Sequence, residues 1–337
     1  MKAVVYDRPG SYAIAEVPVP EPGPGEVLLK VLVAGVCGTD LHIHEGEFGP
    51  SYPLTPGHEF VGEVAVLGEG VDQVTLGDRV AVDNTASCGR CVECRRARPA
   101  FCRSLVAQGV NAPGGFAEYV VTDANRCFVV NDLEAEVAVF AEPAACVVHG
   151  LDVLNLRSGA SVLLVGAGPT GLLLTQLLAA SGANPLTVAA PSEHKLRLAA
   201  ARGADRTVRI ARGDDLQGLL RPLTDDQGFD VVIDATGSLD VLEHAIPLTR
   251  TGGTVFVYGM AGESARLPIS PYDVFRRELT VKGSFAQQYS FDRSLQALRT
   301  GRIGTDGLIT HRFPLDDYGA ALDAVRDSAS IKTVIVP

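Results

Sequence analysis

Four cysteines fall within fifteen residues, Cys88, Cys91, Cys94 and Cys102, in the spacing C-x2-C-x2-C-x7-C. Thiolates at such intervals can converge on one tetrahedral zinc. A disulfide framework fits less well, because only 7 cysteines are spread over 337 residues and no signal-peptide pattern precedes them. The arginine-rich segment between these cysteines has no periodic apolar face, so the spacing predicts a lobe over residues 86–103 that is closed by a structural metal rather than by a core.

A second set of ligating residue types stands in the N-terminal part: Cys37-Gly-Thr39-Asp40-Leu-His42, Gly57-His58-Glu59 and Glu142-Pro143. A thiolate, an imidazole and a carboxylate can hold a zinc and leave one position open for substrate, the arrangement of a catalytic metal site. A zinc so held lowers the pKa of a hydroxyl brought to it, and hydride can then pass to a nicotinamide. Asp40 reads as a carboxylate that orients a ligand. Cys127 reads as core, as do Cys146 and His149, which follow Glu142 at helical spacing.

A nicotinamide needs a dinucleotide site, and Gly166-Ala-Gly168-Pro169-Thr170-Gly171 supplies its pattern, G-x-G-x-x-G. The motif follows the apolar strand Val162–Val165 and opens a helix over Leu172–Ala180, so its glycines allow a tight turn and the helix N-terminus offers free N–H groups to a pyrophosphate. NAD sites place an acidic residue at the end of the next strand, about twenty residues on. Here that strand, Leu186–Ala190, ends without one, and Ser192, His194, Lys195 and Arg197 offer donors and positive charge instead. This favours NADP(H) over NAD(H); in the competing reading Glu193 turns back to the ribose. Tyr258-Gly259-Met260 ends a further strand on the nucleotide side and reads as a cofactor contact.

The elements that must position these groups divide the chain. Short β-branched runs at Lys2–Tyr6, Tyr12–Val17, Glu26–Ala34, Phe60–Leu67 and Arg79–Val82, separated by dense Gly and Pro turns, predict a β-rich domain. From about Glu142 the pattern becomes alternating. A helix over Pro143–Leu156 precedes strands at Ser161–Val165, Leu186–Ala190, Asp230–Asp234 and Thr254–Tyr258, with helices of about ten residues between them. This is the pattern of a doubly wound parallel sheet. From about Glu278 shorter strands return, with one helix at Tyr318–Asp327 and a final strand at Thr333–Val336. A net charge of −11 argues against a nucleic-acid partner, and no apolar run looks long enough to span a membrane. A cytoplasmic enzyme is the expectation.

With Cys-Gly-Thr-Asp at 37–40, Gly-His-Glu at 57–59, Gly-Asp-Arg-Val at 77–80, the cysteine lobe, Gly-Gly-Phe-Ala-Glu-Tyr at 114–119, Glu-Pro at 142–143 and the glycine motif in that order, the chain resembles the zinc-dependent medium-chain dehydrogenases/reductases. It is similar to the branch that contains sorbitol (polyol) and threonine dehydrogenases. The resemblance implies an α/β fold with a GroES-like catalytic domain (1–141 and 278–337) and an inserted Rossmann domain (142–277). It implies a catalytic zinc on Cys37, His58 and Glu59, and a relay with Thr39 as its hydroxyl and His42 as its histidine. Glu142 stands where the polyol branch uses glutamate, and whether it ligates directly, through water or alternately with Glu59 is left open. Ser284 and Phe285 lie where the family closes over the carboxamide, and in relatives such a lobe often lies near subunit contacts, which implies a homo-oligomer, a tetramer or a dimer. The implied substrate is a polyol or secondary alcohol such as sorbitol, xylitol or arabitol, giving the ketose or ketone. Threonine or a simple alcohol is the alternative. Two rivals differ in kind: a zinc-free quinone or enoyl reductase, which has no use for Cys37, His58 and Glu142, and a non-catalytic zinc and dinucleotide redox sensor, which has no use for a relay.

Overall fold

A computed structural model describes residues 1–337, which form two compact units, Met1–Ala145 with Gln287–Pro337, and Cys146–Ala286. In the first unit a mixed sheet runs in the order Ile309–Phe313, Lys332–Ile335, Glu26–Val36, Glu59–Leu67, Arg79–Val82, Cys127–Val129, and Tyr119–Asp123 also pairs with Glu26–Val36. The Glu26–Val36 strand is apolar nearly throughout and buried nearly throughout, as expected of a central strand covered on both faces. It pairs antiparallel with the C-terminal strand through Val334↔Gly35 and with the next strand through Gly35↔Glu59. One glycine thus lies between residues almost three hundred positions apart in sequence. Tyr318, Ala321 and Leu322 form the buried stripe of helix Tyr318–Arg326, at the spacing of one helical face.

The second unit is a six-stranded parallel sheet in the order Arg206–Arg209, Leu186–Ala190, Val162–Val165, Phe229–Asp234, Thr249–Val257, Thr280–Gly283. The three strands flanking the point where the order reverses are apolar and almost wholly buried, whereas the two edges are mostly exposed. Helix Pro169–Ala180 is buried from Gly171 to Leu178, which suits a segment apolar on all sides. Gly171 is required where this helix leaves the first strand: a Cβ there would sit 2.1 Å from the Gly166 carbonyl oxygen, and Gly166 itself has φ 114.

Three features differ from the sequence reading. The first is the extent of the second unit, which starts at Cys146 and ends at Ala286, because Thr280–Gly283 is the sixth parallel strand. That strand and the opposite edge, Arg206–Arg209, are four residues each with charged side chains, the composition of protected sheet edges rather than of apolar runs. The second is the long helix, which runs Ala141–Leu154 and stops because Asn155 takes the left-handed conformation at φ 53. The third concerns apolar length. The helical stretch Ala135–Leu154, 20 residues, is in fact long and apolar enough to cross a bilayer. It is split into Ala135–Ala138 and Ala141–Leu154, and Ala138 to Ala141 between them are buried in the first unit. Its length therefore reflects a core element.

Replacing Gly171 with alanine is expected to push the helix off the strand and to weaken dinucleotide binding at least about tenfold, equivalent to ~1.4 kcal/mol. Titration calorimetry with NADPH measures the change directly.

Candidate active site

Cys37 is the N-cap of helix Gly38–Glu45, and its Sγ accepts from the Thr39 N–H at 3.3 Å. Asp40 completes a capping box: its Oδ2 accepts from the Cys37 N–H at 2.9 Å. The N-terminus of the helix is thereby closed around the Cys37 sulfur. The other oxygen of Asp40, Oδ1, lies 3.6 Å from His58 Nδ1, and both atoms are buried with no other partner. The opposite ring nitrogen, Nε2, is 3.2 Å from Cys37 Sγ. His58 is thereby aimed: Nδ1–H faces a carboxylate and Nε2 faces the thiolate. Burial alone would lower the His58 pKa, but Cys37 and then Asp40 raise it well above its ordinary value.

Glu59 joins Cys37 and His58, and the ligand atoms of the three lie within 4.8 Å of one another. Across the central strand Lys332 donates to Glu59 Oε2, and both side chains are almost wholly buried. The two meet above Gly35, where a Cβ would stand 2.1 Å from Glu59 Oε2 and 2.8 Å from Lys332 Cε. Burial would lower the lysine's pKa, yet Glu59, then Cys37, raise it, so Lys332 stays a cation. With Cys37 ionised, three anions share this interior with one fixed cation, and a divalent ion restores neutrality. The donor set, the aimed histidine and the charge deficit fit zinc. Glu142 is buried at the start of its helix but is not part of the trio.

Helix Gly38–Glu45 also carries Thr39 and His42, three apart and so on neighbouring positions of one face. His42 is partly exposed, and its Nδ1 lies 2.6 Å from Glu47 Oε2, which orients the ring. His44 points elsewhere, to the Tyr6 hydroxyl at 2.8 Å.

The cysteine lobe is built from the one-turn helix Val92–Arg95 and the short 3-10 turn Pro99–Phe101. Its sulfurs stand 3.5 Å apart for Cys91 and Cys94, and 4.0 Å for Cys88–Cys94 and Cys91–Cys102. A tetrahedral site with Zn–S bonds of ~2.3 Å has edges of about 3.8 Å, so the four sulfurs already outline one. Backbone N–H groups of Cys88 and Ser104 point at Cys102 Sγ, and that of Cys91 at Cys88 Sγ. Amide donors, first that of Cys94, hold the Cys91 thiol down to about 6. No cysteine is in a disulfide.

In the second unit a cavity of about 660 Å³ opens beyond the carboxyl ends of the strands, with Gly166, Pro191, Arg212, Thr236 and Gly262 in its wall. The turn Thr236–Gly237 is held by Asp234, whose Oδ1 accepts from the Thr236 N–H at 2.8 Å. Gly168 caps helix Pro169–Ala180, with Pro169, Thr170 and Gly171 in its first turn. Ser192 caps helix Glu193–Ala201 and accepts from the Lys195 N–H at 3.5 Å; neither Ser192 nor Lys195 is in the cavity wall. Tyr258, Gly259 and Met260 follow the fifth strand, where the Gly259 N–H donates to the Asp234 carbonyl at 2.8 Å. Ser284 and Phe285 follow the sixth strand, and Phe285 is exposed. Sequence reasoning missed Lys332 and Gly35, which no local pattern marks. It also missed Arg212 and Thr236, although Asp234-Ala-Thr236-Gly237-Ser at a strand end was a readable turn signal.

Residues 23–132 match the alcohol dehydrogenase GroES-like domain family and residues 169–300 the zinc-binding dehydrogenase family. The chain is 41% identical over 339 residues to D-arabinitol dehydrogenase 1 of Uromyces fabae, covering 100% of this chain and 97% of that one. It is 35% identical over 322 residues to D-altritol 5-dehydrogenase of Agrobacterium fabrum, covering 94% of each. A crystal structure of a Sinorhizobium meliloti protein bound to NADP superposes with a TM-score of 0.93 at 35% identity, covering 100% of this chain and 99% of that one. The chain therefore belongs to the zinc-binding medium-chain dehydrogenases of the polyol and threonine dehydrogenase type. It is an NAD(P)-dependent dehydrogenase that acts on alcohols.

Two substitutions probe this centre. Lys332→Met leaves Glu59 buried without its cation and is expected to cost about 3–5 kcal/mol of stability, read from urea unfolding. Asp40→Ala removes the carboxylate behind His58 and is expected to weaken zinc binding at that site about 10–100-fold in a chelator competition.

Proposed function

We propose that this protein oxidises a polyol, or the matching secondary alcohol, to the ketose or ketone with NADP as the preferred acceptor. The carrying observation is the trio of half-buried Cys37 with buried His58 and Glu59, in which Asp40 aims the imidazole and Lys332 holds one oxygen of the carboxylate. When bound there, zinc lowers the pKa of the substrate hydroxyl and the nicotinamide receives the hydride. The chain's own residues do the rest. Cys37, His58 and Glu59 hold the ion, and Lys332, by occupying Glu59 Oε2, leaves Oε1 as that residue's free oxygen. Glu142 is the reserve carboxylate, acting through water or in exchange with Glu59. Thr39 takes the hydroxyl proton and His42 hands it to solvent, with Glu47 orienting the imidazole.

The D-arabinitol and D-altritol activities of the two relatives support a sugar alcohol as substrate. Two zincs per chain, one catalytic and one in the cysteine lobe, are supported by the clusters Cys37, His58, Glu59 and Cys88, Cys91, Cys94, Cys102. NADP is supported by the missing strand-end carboxylate at Ala190 and by the NADP-bound structural relative. Gly166, Gly168, Pro169, Thr170 and Gly171 would cradle the pyrophosphate, with Tyr258, Gly259, Met260, Ser284 and Phe285 toward the nicotinamide half and Ser192 and Lys195 at the ribose. Reduced cysteines throughout suit a cytoplasmic enzyme, and a homo-oligomer, tetramer or dimer, is the expected assembly.

Metal analysis of the purified protein is expected to give two zincs per chain, falling to one in Cys37→Ser with loss of turnover. A panel of D-arabinitol, D-altritol, sorbitol, xylitol, simple secondary alcohols and L-threonine, each assayed with NADP and NAD, is expected to rank a polyol with NADP first. Preference for threonine, or full activity in Cys37→Ser, would refute the assignment.

A further inference from the structure

The cavity in the nucleotide unit contains one basic and one acidic side chain in its wall, Arg212 and Asp240. They stand on opposite flanks. Arg212 follows strand Arg206–Arg209, which pairs with Leu186–Ala190, whereas Asp240 follows Phe229–Asp234 on the other side of Val162–Val165. The Arg212 flank is where the strand-end carboxylate of an NAD site would belong. There Ala190 is buried and offers nothing polar, and Pro191, which lines the wall, has no N–H to donate. Ser192 and Lys195 serve the start of the following helix and are not in the wall.

Arg212 is brought to this flank by the sheet itself. Ala190 pairs with Arg209, and the Ile210 N–H donates to the Ala190 carbonyl at 3.2 Å, so the two strand ends and the loops leaving them stay adjacent. The loop then closes on itself: the Ala211 N–H donates to Asp214 Oδ2 at 2.7 Å, the Asp214 N–H returns to the Ala211 carbonyl at 3.2 Å, and Gly213 takes φ 85. The backbone of Arg212 is thus fixed while its exposed guanidinium makes no hydrogen bond and no ion pair. An unpaired guanidinium in the wall of a nucleotide cavity, on the flank without a carboxylate, is suited to receive a phosphate: its planar fork matches phosphate oxygens two at a time.

We propose that Arg212 binds the 2′-phosphate of the cofactor's adenosine and is the residue that makes this enzyme discriminate NADP from NAD. The inference rests on the NADP reading above and deepens it by placing the discriminating contact one strand further along the sheet than Ser192 and Lys195.

Calorimetric titration of the intact zinc-loaded protein tests it without depending on any alcohol substrate. Wild type, Arg212→Ala and Lys195→Ala are titrated with NADPH, NADH, 2′,5′-ADP and 5′-AMP. Arg212→Ala is expected to weaken NADPH and 2′,5′-ADP about ten- to hundredfold, the loss of one charge-assisted contact, and to leave NADH and 5′-AMP within about twofold. Lys195→Ala is expected to change the NADPH to NADH ratio much less. If wild type binds NADH as tightly as NADPH, the NADP reading itself is wrong and the proposal falls with it. If wild type prefers NADPH but Arg212→Ala weakens all four ligands alike, Arg212 serves the adenine or the loop, and only this proposal is overturned. It is likewise overturned if Lys195→Ala, rather than Arg212→Ala, abolishes the preference.

Discussion

Two buried carboxylates beside a half-buried cysteine are tolerable only when cations lie among them, and the GroES-like unit is organised around that requirement. Asp40, Glu59 and Cys37 converge on His58, and Lys332 is the one cation the fold itself provides. The lysine neutralises one charge and no more. What remains is an imidazole nitrogen, a thiolate and one carboxylate oxygen with excess negative charge, in an interior where water cannot disperse it. Such a cluster suits a divalent cation.

That balance constrains the backbone. Lys332 reaches Glu59 only by passing over the central strand, and Gly35 is the position where it passes. A side chain there would occupy the space of the ion pair, so the pairing of Lys332 with Glu59 requires glycine at this position. The helix that starts at Cys37 is tied into the same system: Asp40 closes the cap with one oxygen and faces His58 with the other. One aspartate thus sets the start of the helix, the direction of the thiolate and the orientation of the imidazole. Thr39 and His42 ride on that helix, so the cap also sets where they stand.

The two candidate metal sets show contrasting ways to bring ligating groups together. The cysteine lobe draws all four ligands from fifteen consecutive residues, has little core, and uses backbone amides to hold its thiolates. The trio Cys37, His58 and Glu59 draws its groups from separate strand and helix ends, and Glu59 is paired with a residue 273 positions away. The first set is local; the second is assembled by the sheet.

These contrasts divide what could be read along the chain from what required its folding. The cysteine spacing, the glycine motif between a strand and a helix, the N-terminal ligand motifs and the alternating second half are short-range patterns, because each reflects a turn, a cap or a helical period that neighbouring residues determine among themselves. They were enough to identify the family and the two-part architecture. The edge strands Arg206–Arg209 and Thr280–Gly283 were not legible, since a strand that meets solvent carries charge and loses the apolar run that marks it. Nor could the sequence show that Lys332 holds Glu59, that Gly35 makes room for both, or that Arg212 rather than Lys195 stands in the nucleotide wall. Those are facts of register, set when strands distant in sequence pair, and pairing is decided by the burial of the whole sheet.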